Sequence, residues 1–572
     1  MCGIAGIIGE QARREVLEKM TVSQHHRGPD HTGYWFGDNA SLGHNRLSII
    51  DLSEQANQPF SDDDNRYQLV FNGEIYNYLE LKEVLDYEFK TASDTEVLLA
   101  AYLKWGKDCL HKLNGMFAFA IWDTKDQTLF AARDRFGVKP FYYQHDANSF
   151  YFSSEIKALH EAGINKEPNQ KTWANYLVYG SYGMPDETFW KSIHQLPGGH
   201  YLELHTSSLK ISKWYHFEKE IIKQRKEYSY EEAKKKYISL LEDSIRLRFR
   251  SDVSVGFTIS GGVDSSALLA FVNKNQTKDK IKAFTFYTGD DRYDELPWVE
   301  ELIKLTKNPL YKVKLKANEV DGMSKKICFH QDEPFGGIPT LAYAKLFEKA
   351  RNENILVILD GQGMDEQWAG YDYYMKSTDE NIIQGLQKSP FKKEVLSKEL
   401  LVLAKKPIYP TPFKDTLLDK QYRDLFYTKI PRALRFNDRI SMAYSTELRE
   451  PFLDYRLVEF AFSQPKDYKI NNGVQKFMLR EIVADYLSDS ITYAPKRPLQ
   501  TPQREWLGNE LKEFVTCELQ NLEKSKIADW FNFDLLKQEY KKYLDGDNNS
   551  SFHIWQWVNL SLCLNYNNEI NS

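Results

Sequence analysis

Residues 255–271, VGFTISGGVDSSALLAF, decide the fold of the second half of this chain. An apolar run leads into the polar segment 260–266, SGGVDSS, after which a helical pattern begins. Glycines let the backbone approach an anion, and hydroxyls and N–H groups at a helix N-terminus can then bind it. A loop of the G-x-x-x-x-G-K-[ST] type would need a lysine that this stretch does not have. The stretch therefore predicts a strand, an anion-binding loop and a helix.

Further apolar runs near this loop alternate with periodic helical segments. They read IKAFTFYT, YKVKLK and ILVILD, and the last continues into a Gly-rich loop, DGQGMDEQWAGY. This alternation predicts a parallel α/β sheet with ligands at the carboxyl ends of its strands. The polar, Lys/Glu-rich segment 206–230 before it predicts a linker whose latter part begins a helix. The tail 545–568 predicts an aromatic-rich closing helix with a frayed end.

The first 205 residues have a different pattern, of short strands separated by turns. Runs such as IAGIIG, MFAFAIWD and TLFAARD are broken by Gly, Asn and Asp, which predicts antiparallel hairpins. One helix is predicted in SDTEVLLAAYLKWG, with Ser93 as its N-cap and Gly106 at its end. The pattern favours an α+β fold with two sheets.

The chain opens MCGIAGIIG, and removal of Met1 would leave Cys2 with both a thiol and a free α-amine. A thiol is a good nucleophile, and an α-amine with a pKa of about 7.7–8.0 can act as a base near neutral pH. Taken alone, this start favours an ordinary buried residue of a first strand. FNGEIYN predicts Asn72 and Gly73 at a strand end, where an amide and a backbone N–H could converge on one oxygen, as an oxyanion hole requires. A plain turn is the alternative.

Seven motifs in order strengthen the functional interpretation: MCGIAG, HRGPD, RLSIID (with Arg46 predicted at a strand start), NGEIYN, SDTE, DRFGVKPFYY and SSEIKAL. Together they resemble the class II (N-terminal nucleophile) glutamine amidotransferases over about residues 2–200. The resemblance implies a sandwich of two antiparallel sheets flanked by helices. It implies that Cys2 attacks the glutamine amide with its own amine as base, and that Asn72 and Gly73 form the oxyanion hole. The glutamine-binding residues that it implies are Arg46 for the α-carboxylate, Asp94 for the α-amine, and Asn72, Gly73 and Glu74 around the pocket.

Bulk composition sets limits on the function. A chain of 572 residues exceeds the roughly 250–300 at which a single core stops growing, so at least two domains are expected. The formal net charge of −6 includes no basic excess or tail, so a nucleic-acid partner is not expected. Five cysteines without metal or disulfide spacing indicate a reducing compartment. We find neither a signal peptide nor an apolar span, so we expect a cytoplasmic protein without membrane contact.

The SGGVDSS loop resembles the PP-loop of the ATP pyrophosphatases, which hold pyrophosphate while AMP passes to the substrate. The ATP- and pyrophosphate-binding residues that this resemblance implies are Ile259, Ser260, Gly261, Gly262, Asp264, Ser265, Ser266, Phe286 against the adenine, and Gly361 near the ribose. Asp264 and Asp365 are implied as Mg²⁺ ligands. Lys476 falls where the family has a lysine that stabilises charge on the phosphate and on the tetrahedral intermediate.

A glutaminase followed by a PP-loop synthetase resembles the glutamine-hydrolysing asparagine synthetase family, from residue 2 to about residue 510. The resemblance implies an Ntn-type glutaminase domain at 2–205, a linker at 206–230 and an α/β PP-loop domain at 231–572. The implied reaction converts glutamine, aspartate and ATP into asparagine, glutamate, AMP and pyrophosphate, with ammonia passing through an internal tunnel. ATP and Mg²⁺ are the implied cofactors, and family members often form homodimers.

Two segments depart from the family pattern. Where asparagine synthetases usually have G-E-G-x-D-E, this chain has GQGMDE at 361–366, and KRPLQTPQREWL near the C-terminus also differs. The family glutamate is thought to help take a proton from the attacking ammonia, and Gln362 cannot act as a base. Either another carboxylate, such as Glu366 or Asp294, does that work, or the acceptor is different. Gln362 and Glu366 are the predicted acceptor-site residues, and the alternative acceptor is a uronic acid carboxylate of surface polysaccharide synthesis.

Three other interpretations remain for parts of this pattern. A catalytically silent binding module of the same fold should have lost Cys2, SGGVDSS or Lys476, and all three are present. A β-lactam synthetase should lack the N-terminal cysteine. Arg449 and Asp454 in LREPFLD fit a functional role and a purely structural role, in capping and ion pairing, equally well.

Overall fold

The computed structural model describes residues 1–205, 208–224, 228–275, 280–376, 389–495 and 500–565. Within them, strands and turns dominate up to Lys213, which we call the N-terminal region, and helices dominate from Tyr230 onward, which we call the C-terminal region.

The N-terminal region contains two six-stranded antiparallel sheets, as far as its described residues go. Its strands are β1 (Gly3–Gly9), β2 (His31–Phe36), β3 (Ala40–Arg46), β4 (Phe60–Ser61), β5 (Tyr67–Ile75), β6 (Gly115–Asp123), β7 (Thr128–Arg133), β8 (Tyr142–His145), β9 (Ser149–Ser153), β10 (His194–Gln195), β11 (His200–His205) and β12 (Ser208–Lys213). Its helices are α1 (Arg14–Val22), α2 (Tyr78–Val84), α3 (Asp94–Trp105), α4 (Ile156–Glu161) and α5 (Gln170–Tyr179).

The two sheets run in the orders β10-β8-β9-β1-β3-β2 and β12-β11-β7-β6-β5-β4. Alternate side chains of their central strands meet in a shared apolar core that includes Ile4, Leu42, Val70 and Ala120. β1 pairs with β3 and β9, and β5 pairs with β4 and β6, so both strands have neighbours on each side. This confirms the predicted sandwich of antiparallel sheets flanked by helices.

The C-terminal region is built on a five-stranded, fully parallel sheet in the order β15-β14-β13-β16-β17. Its strands are β13 (Val255–Thr258), β14 (Ala283–Tyr287), β15 (Leu310–Lys314), β16 (Val357–Leu359) and β17 (Glu447–Arg449), and a separate hairpin has β18 (Ile470–Asn471) and β19 (Val474–Gln475). The order places β13 at the centre, so the loop after it opens at the middle of the carboxyl edge. This confirms the predicted parallel α/β sheet.

Helices cover this sheet and extend beyond it. They are α6 (Phe217–Gln224), α7 (Tyr230–Arg248), α8 (Val263–Asn275), α9 (Leu296–Thr306), α10 (Val320–Gln331), α11 (Ile338–Asn352), α12 (Met364–Gln367), α13 (Lys398–Leu403), α14 (Thr416–Phe426), α15 (Lys429–Met442), α16 (Tyr455–Ser463), α17 (Lys466–Lys469), α18 (Phe477–Val483), α19 (Asp489–Thr492), α20 (Gln503–Trp506), α21 (Lys512–Glu523), α22 (Phe533–Leu544) and α23 (Phe552–Asn565). The closing helix expected in the tail is α23, and its predicted frayed end lies outside the described residues.

Three local predictions differ from the structure. Arg46 was expected at a strand start but is the last residue of β3, because Ile49 and Ile50 beyond it are buried by tertiary packing rather than by strand pairing. Asn72 and Gly73 were expected at a strand end, yet β5 continues to Ile75. The expected linker at 206–230 contains β12 and α6, since Phe217 and Ile221 of α6 are buried in the core.

The two regions are joined by buried charged side chains. Arg27 Nη1 donates to Glu155 Oε1 at 2.8 Å and to Asp438 Oδ2 at 2.9 Å, and its Nε donates to the Cys2 carbonyl at 3.0 Å. Arg27 and Glu155 belong to the N-terminal region and Asp438 to α15, so the cluster fixes one region against the other. No described helix is long and apolar enough to cross a membrane.

Candidate functional site

A large cavity opens at the carboxyl edge of the parallel sheet. Its volume is about 1690 Å³. The predicted site residues that line it are Ile259, Ser260, Asp264, Ser265, Phe286, Gly361, Gln362, Asp365 and Glu366. The remaining predicted residues of this half, Gly261, Gly262, Ser266 and Lys476, are not among its lining residues. Strand ends that meet at one edge therefore bring most of the predicted ATP and acceptor residues to one cavity.

The SGGVDSS loop has the predicted strand–loop–helix geometry. It connects β13 to α8, and the Ser265 hydroxyl donates to the Ser260 carbonyl at 2.8 Å. The Gly262 carbonyl accepts from the Ser266 N–H at 3.2 Å, which starts the helical pattern. These bonds close the loop on itself at the helix N-terminus, where anions are favoured.

Lys476 brings two distant carboxylates together. Its Nζ lies 2.6 Å from both oxygens of Asp264 and 2.5 Å from Asp365 Oδ1. Asp264 lies in the first turn of α8 and Asp365 in the first turn of α12, so the lysine joins the starts of two helices at the sheet edge. The ion pair of Asp365 is compatible with a structural role in ion pairing as well as with the implied role in metal binding.

Gly370 permits this close approach. A Cβ at this position would lie 2.0 Å from Asp365 Oδ1 and 2.3 Å from Lys476 Cε, distances that no side chain tolerates. The sequence around Gly370 did not predict this constraint, because Lys476 is more than a hundred residues away along the chain.

The acidic residues near the Gly-rich loop have different environments. Burial, with a contribution from Asp365, raises the pKa of Glu366 to about 7, while a 2.7 Å hydrogen bond from the Tyr371 hydroxyl opposes that rise. Asp294 accepts hydrogen bonds from the Thr288 N–H, the Thr288 hydroxyl and the Gly289 N–H at 2.7–2.9 Å. Asp294 therefore stabilises the loop after β14 as a fully hydrogen-bonded carboxylate.

The predicted nucleophile is buried beside the predicted oxyanion donors. Cys2 is 7% exposed, and its backbone N–H donates to Asn72 Oδ1 at 3.0 Å. The Asn72 Nδ2 is buried and makes no hydrogen bond among the described residues, so it is a donor available to a ligand oxygen. Burial raises the pKa of the Cys2 thiol, and the neighbouring N-terminal ammonium opposes that rise.

Met1 is held by a residue of the C-terminal region. Its ammonium donates to Glu447 Oε2 at 2.8 Å, and both groups are fully buried. Glu447 in turn pairs with Arg449 Nε at 2.5 Å, and Arg449 Nη2 lies 3.7 Å from Glu74 Oε1. Arg449 therefore lies in an ion pair network at the junction of the regions, whereas Asp454 caps α16 and pairs with Arg248 at 3.0 Å.

The carboxylates around Met1 form an anionic group. Burial and the charge of Glu447 raise the pKa of Glu74 well above its ordinary value. Burial also raises the pKa of Asp94 to about 6, although its hydrogen bond from the Ile75 N–H at 2.8 Å opposes this. An ammonium group stabilises such a group of buried carboxylates, and Met1 supplies one here.

Arg46 lies near this group but is engaged with its own loop. Its Nη1 donates to the Ser53 carbonyl at 2.7 Å and to Asn57 Oδ1 at 2.9 Å, and Nη2 donates to the Asp51 carbonyl. A ligand carboxylate at Arg46 would have to share these donors or displace the loop acceptors.

A second, small cavity lies between the two regions. Its volume is about 20 Å³, room for a single water-sized molecule. Residues from both regions line it, among them Tyr76, Met116 and Val138 from the N-terminal region and Arg248 and Glu450 from the C-terminal region. Sequence reasoning did not single out Glu447, Glu450 or Asp438, since the charged neighbours of each include a residue of the N-terminal region: Met1, Lys139 and Arg27, respectively.

Family comparisons agree with this two-part site. A glutamine amidotransferase domain model matches residues 1–215 and an asparagine synthase model matches residues 236–565. The fold and site thus define a ligase that takes its nitrogen from glutamine. The chain belongs to the glutamine-hydrolysing asparagine synthetase family, whose members use ATP.

Three relatives illustrate the similarity. Asparagine synthetase [glutamine-hydrolyzing] 3 of Bacillus subtilis is 31% identical over 87% of this chain and 86% of its own length. A putative asparagine synthetase of Methanocaldococcus jannaschii is 37% identical over 68% of this chain and 79% of its own. A protein of Penicillium rubens named amidase chyE is 26% identical over 93% of both chains.

Proposed function

We propose that this enzyme converts L-aspartate into L-asparagine through an acyl-adenylate. The observation that carries the proposal is the cluster of Asp264, Asp365 and Lys476 beside the SGGVDSS loop, at the edge of a cavity that also contains Gln362 and Glu366. A phosphate-binding loop, two carboxylates and a buried cation suit the binding and cleavage of a nucleoside triphosphate.

Glutamine hydrolysis is assigned to the N-terminal region. After removal of Met1, Cys2 carries the attacking thiol, and its new α-amine is the base. The free Asn72 Nδ2 and the Gly73 N–H stabilise the oxyanion. Departure of Met1 would also remove an ammonium whose charge acts on Glu74 and Asp94, a loss that the glutamine α-ammonium can offset. Arg46 is the proposed partner of the α-carboxylate.

ATP is assigned to the cavity of the C-terminal region. The loop residues 259–266 hold the phosphates, Phe286 lies against the adenine, and Gly361 lies near the ribose. Two carboxylates fit Mg²⁺, which proteins usually bind through one or two carboxylates together with substrate phosphates. Asp264 and Asp365 would hold it, and the ion would neutralise charge on the triphosphate. Lys476 stabilises charge on the phosphate and on the tetrahedral intermediate.

The coupling of the two regions follows from the chemistry. A carboxylate is a poor electrophile, and its oxide is a poor leaving group. Attack of the acceptor carboxylate on the α-phosphate of ATP releases pyrophosphate and forms an acyl-adenylate, whose leaving group is AMP. Ammonia released into water would be protonated and lost, so a protected path between the two sites keeps it nucleophilic.

Pyrophosphate release tests the proposal. Purified protein lacking Met1 is incubated with glutamine, ATP, Mg²⁺ and L-aspartate, next to an aspartate-free control. Pyrophosphate and asparagine should appear together and vanish without aspartate. Glutamine hydrolysis without any effect of aspartate would refute aspartate as the acceptor.

A second acceptor class is favoured by two observations. Gln362 replaces the family glutamate in the wall of the large cavity. Its walls also carry Arg423, Lys429 and Arg432, which suit a larger anionic acceptor such as a sugar uronic acid. Pyrophosphate release that requires a uronic acid and ignores aspartate would select this candidate.

A further inference from the structure

Two buried carboxyl groups lie side by side at the carboxyl edge of the parallel sheet. β16 and β17 pair in register up to Leu359 and Arg449, so Asp360 and Glu450 are the next residues on neighbouring strands. The Asp360 N–H donates to the Arg449 carbonyl at 3.0 Å, which extends the pairing to this level. Both side chains are almost entirely buried, with 6% and 5% exposed.

Each member of the pair lines a different cavity. Glu450 lines the small cavity between the regions, which has room for one molecule the size of water or ammonia. Asp360 lines the large cavity, two residues before Gln362. A nitrogen nucleophile that enters from the N-terminal region through the small cavity would therefore reach the large one beside Asp360.

The two carboxyl groups differ in their readiness to ionise. Burial raises the pKa of Asp360 to about 6, against opposing hydrogen bonds from Tyr343, the Gly361 N–H and Gln362. Burial raises the pKa of Glu450 to about 8, with Asp360 and Asp438 adding to the rise and Lys139 and Arg248 opposing it. Their surroundings therefore favour the protonated form more strongly at Glu450 than at Asp360. Neighbouring carboxyl groups with separated pKa values are a usual sign of divided acid and base roles.

We propose that Asp360 is the catalytic base of the amide-forming step, in the role that Gln362 cannot fill. This inference rests on the proposed function. Ammonia attacks the acyl carbon of the adenylate, and Asp360 takes one proton from the nitrogen of the tetrahedral intermediate. The carbon–oxygen bond to the phosphate then breaks, and its electron pair leaves with AMP. The products are the amide, AMP and protonated Asp360, which returns its proton to solvent.

The other carboxylates of the cavity suit this role less well. Asp294 accepts three hydrogen bonds that hold the loop after β14. Glu366 accepts a hydrogen bond from the Tyr371 hydroxyl at 2.7 Å, and its charge acts on Lys429, so it is already engaged by neighbouring side chains. A general base must lie close to the proton that it takes, and Asp360 lies beside Glu450, which lines the small cavity.

Asp360→Asn tests the proposal with ammonium chloride as nitrogen donor, which removes glutamine hydrolysis from the measurement. We expect a loss of about 10²–10³-fold in amide formation, the usual contribution of a general base. Acceptor-dependent pyrophosphate release in the first turnover should persist. Hydroxylamine should still trap the adenylate as a hydroxamate at a near wild-type rate, since its adduct is a stronger acid than that of ammonia and loses its proton to water.

Two further variants make the result specific. The double variant Asp360→Asn/Gln362→Glu should recover a large part of the amide formation. Gln362 is hydrogen-bonded to Asp360, so a glutamate at position 362 would place a carboxylate next to the position of the lost base. Glu450→Gln should lose much less activity than Asp360→Asn. Equal loss of amide and hydroxamate in Asp360→Asn, or a greater loss in Glu450→Gln, would overturn the assignment.

The outcome also separates this inference from the proposed function. Failure of the proposed function appears in the wild-type enzyme, as absence of aspartate-dependent pyrophosphate release. Failure of the Asp360 assignment appears only in the variants. Amide formation from ammonia at the wild-type rate in Asp360→Asn would show it, as would the two outcomes just named.

Discussion

Replacing Asp438 by Asn would remove one carboxylate from the buried cluster that joins the two regions. Asp438 accepts from Arg27 Nη1 at 2.9 Å and from Nη2 at 3.2 Å, a two-point contact with a fully buried guanidinium. Burial opposes ionisation of Asp438, yet Arg27 and Lys139 hold its pKa below the ordinary value. The ion pair is therefore charged in the folded protein.

The expected loss in the free energy of unfolding depends on the ion pair that Arg27 keeps in the variant. Removal of one partner of a buried ion pair destabilises by about 3–5 kcal/mol, because the other charge is left buried without compensation. Arg27 keeps Glu155 Oε1 at 2.8 Å, so we expect the lower end, about 3 kcal/mol. That amount corresponds to about a hundredfold change in the equilibrium that holds the regions together.

Two measurements check this prediction. The urea midpoint of unfolding should fall, and the ratio of glutamate formed to amide formed should rise, because ammonia escapes when the regions separate. Asp126→Asn is the matched control, since Asp126 pairs with Arg66 at 2.8 Å but is 60% exposed, and exposed pairs contribute little. If Asp438→Asn has the same midpoint and ratio as this control, the cluster does not hold the regions together.

Three further outcomes follow from the site. Asn72→Ala should lower glutamine hydrolysis by about 10²–10³-fold while ammonia-dependent synthesis persists, and equal loss of both would argue against an oxyanion role. Lys476→Met, or removal of Mg²⁺ with EDTA, should abolish acceptor-dependent pyrophosphate release but leave glutamine hydrolysis intact; retained release contradicts the assignment. Burial lowers the pKa of His553 from 6.5 to about 4. Between pH 6.5 and pH 4, the histidine is therefore protonated in the unfolded chain but largely neutral in the folded chain. The free energy of unfolding should therefore decrease over this window, measurably less in His553→Asn, and an identical pH dependence of the two urea midpoints would exclude the histidine as a cause.

Elements with a local pattern could be predicted from the sequence. The 255–271 stretch forms β13, a loop and α8 because its apolar run, glycines and hydroxyls act within a few residues of one another. The helix α3 begins at the Ser93 cap and ends at Gly106 for the same reason. By contrast, β17 was not predicted, since the charged residues Glu447 and Arg449 of this buried three-residue strand pair with each other and with residues far away in the sequence, such as Met1.

The candidate site divides in the same way. The sequence by itself determined the loop residues, the cysteine at position 2 and the order of the two regions, since each is a short contiguous motif. Only the tertiary structure placed Lys476 against Asp264, the Met1 ammonium against Glu447, and Asp360 beside Glu450. These contacts join strands and helices that are far apart in the sequence. Their energies come from burying charged groups together, so no pattern within one segment could indicate them.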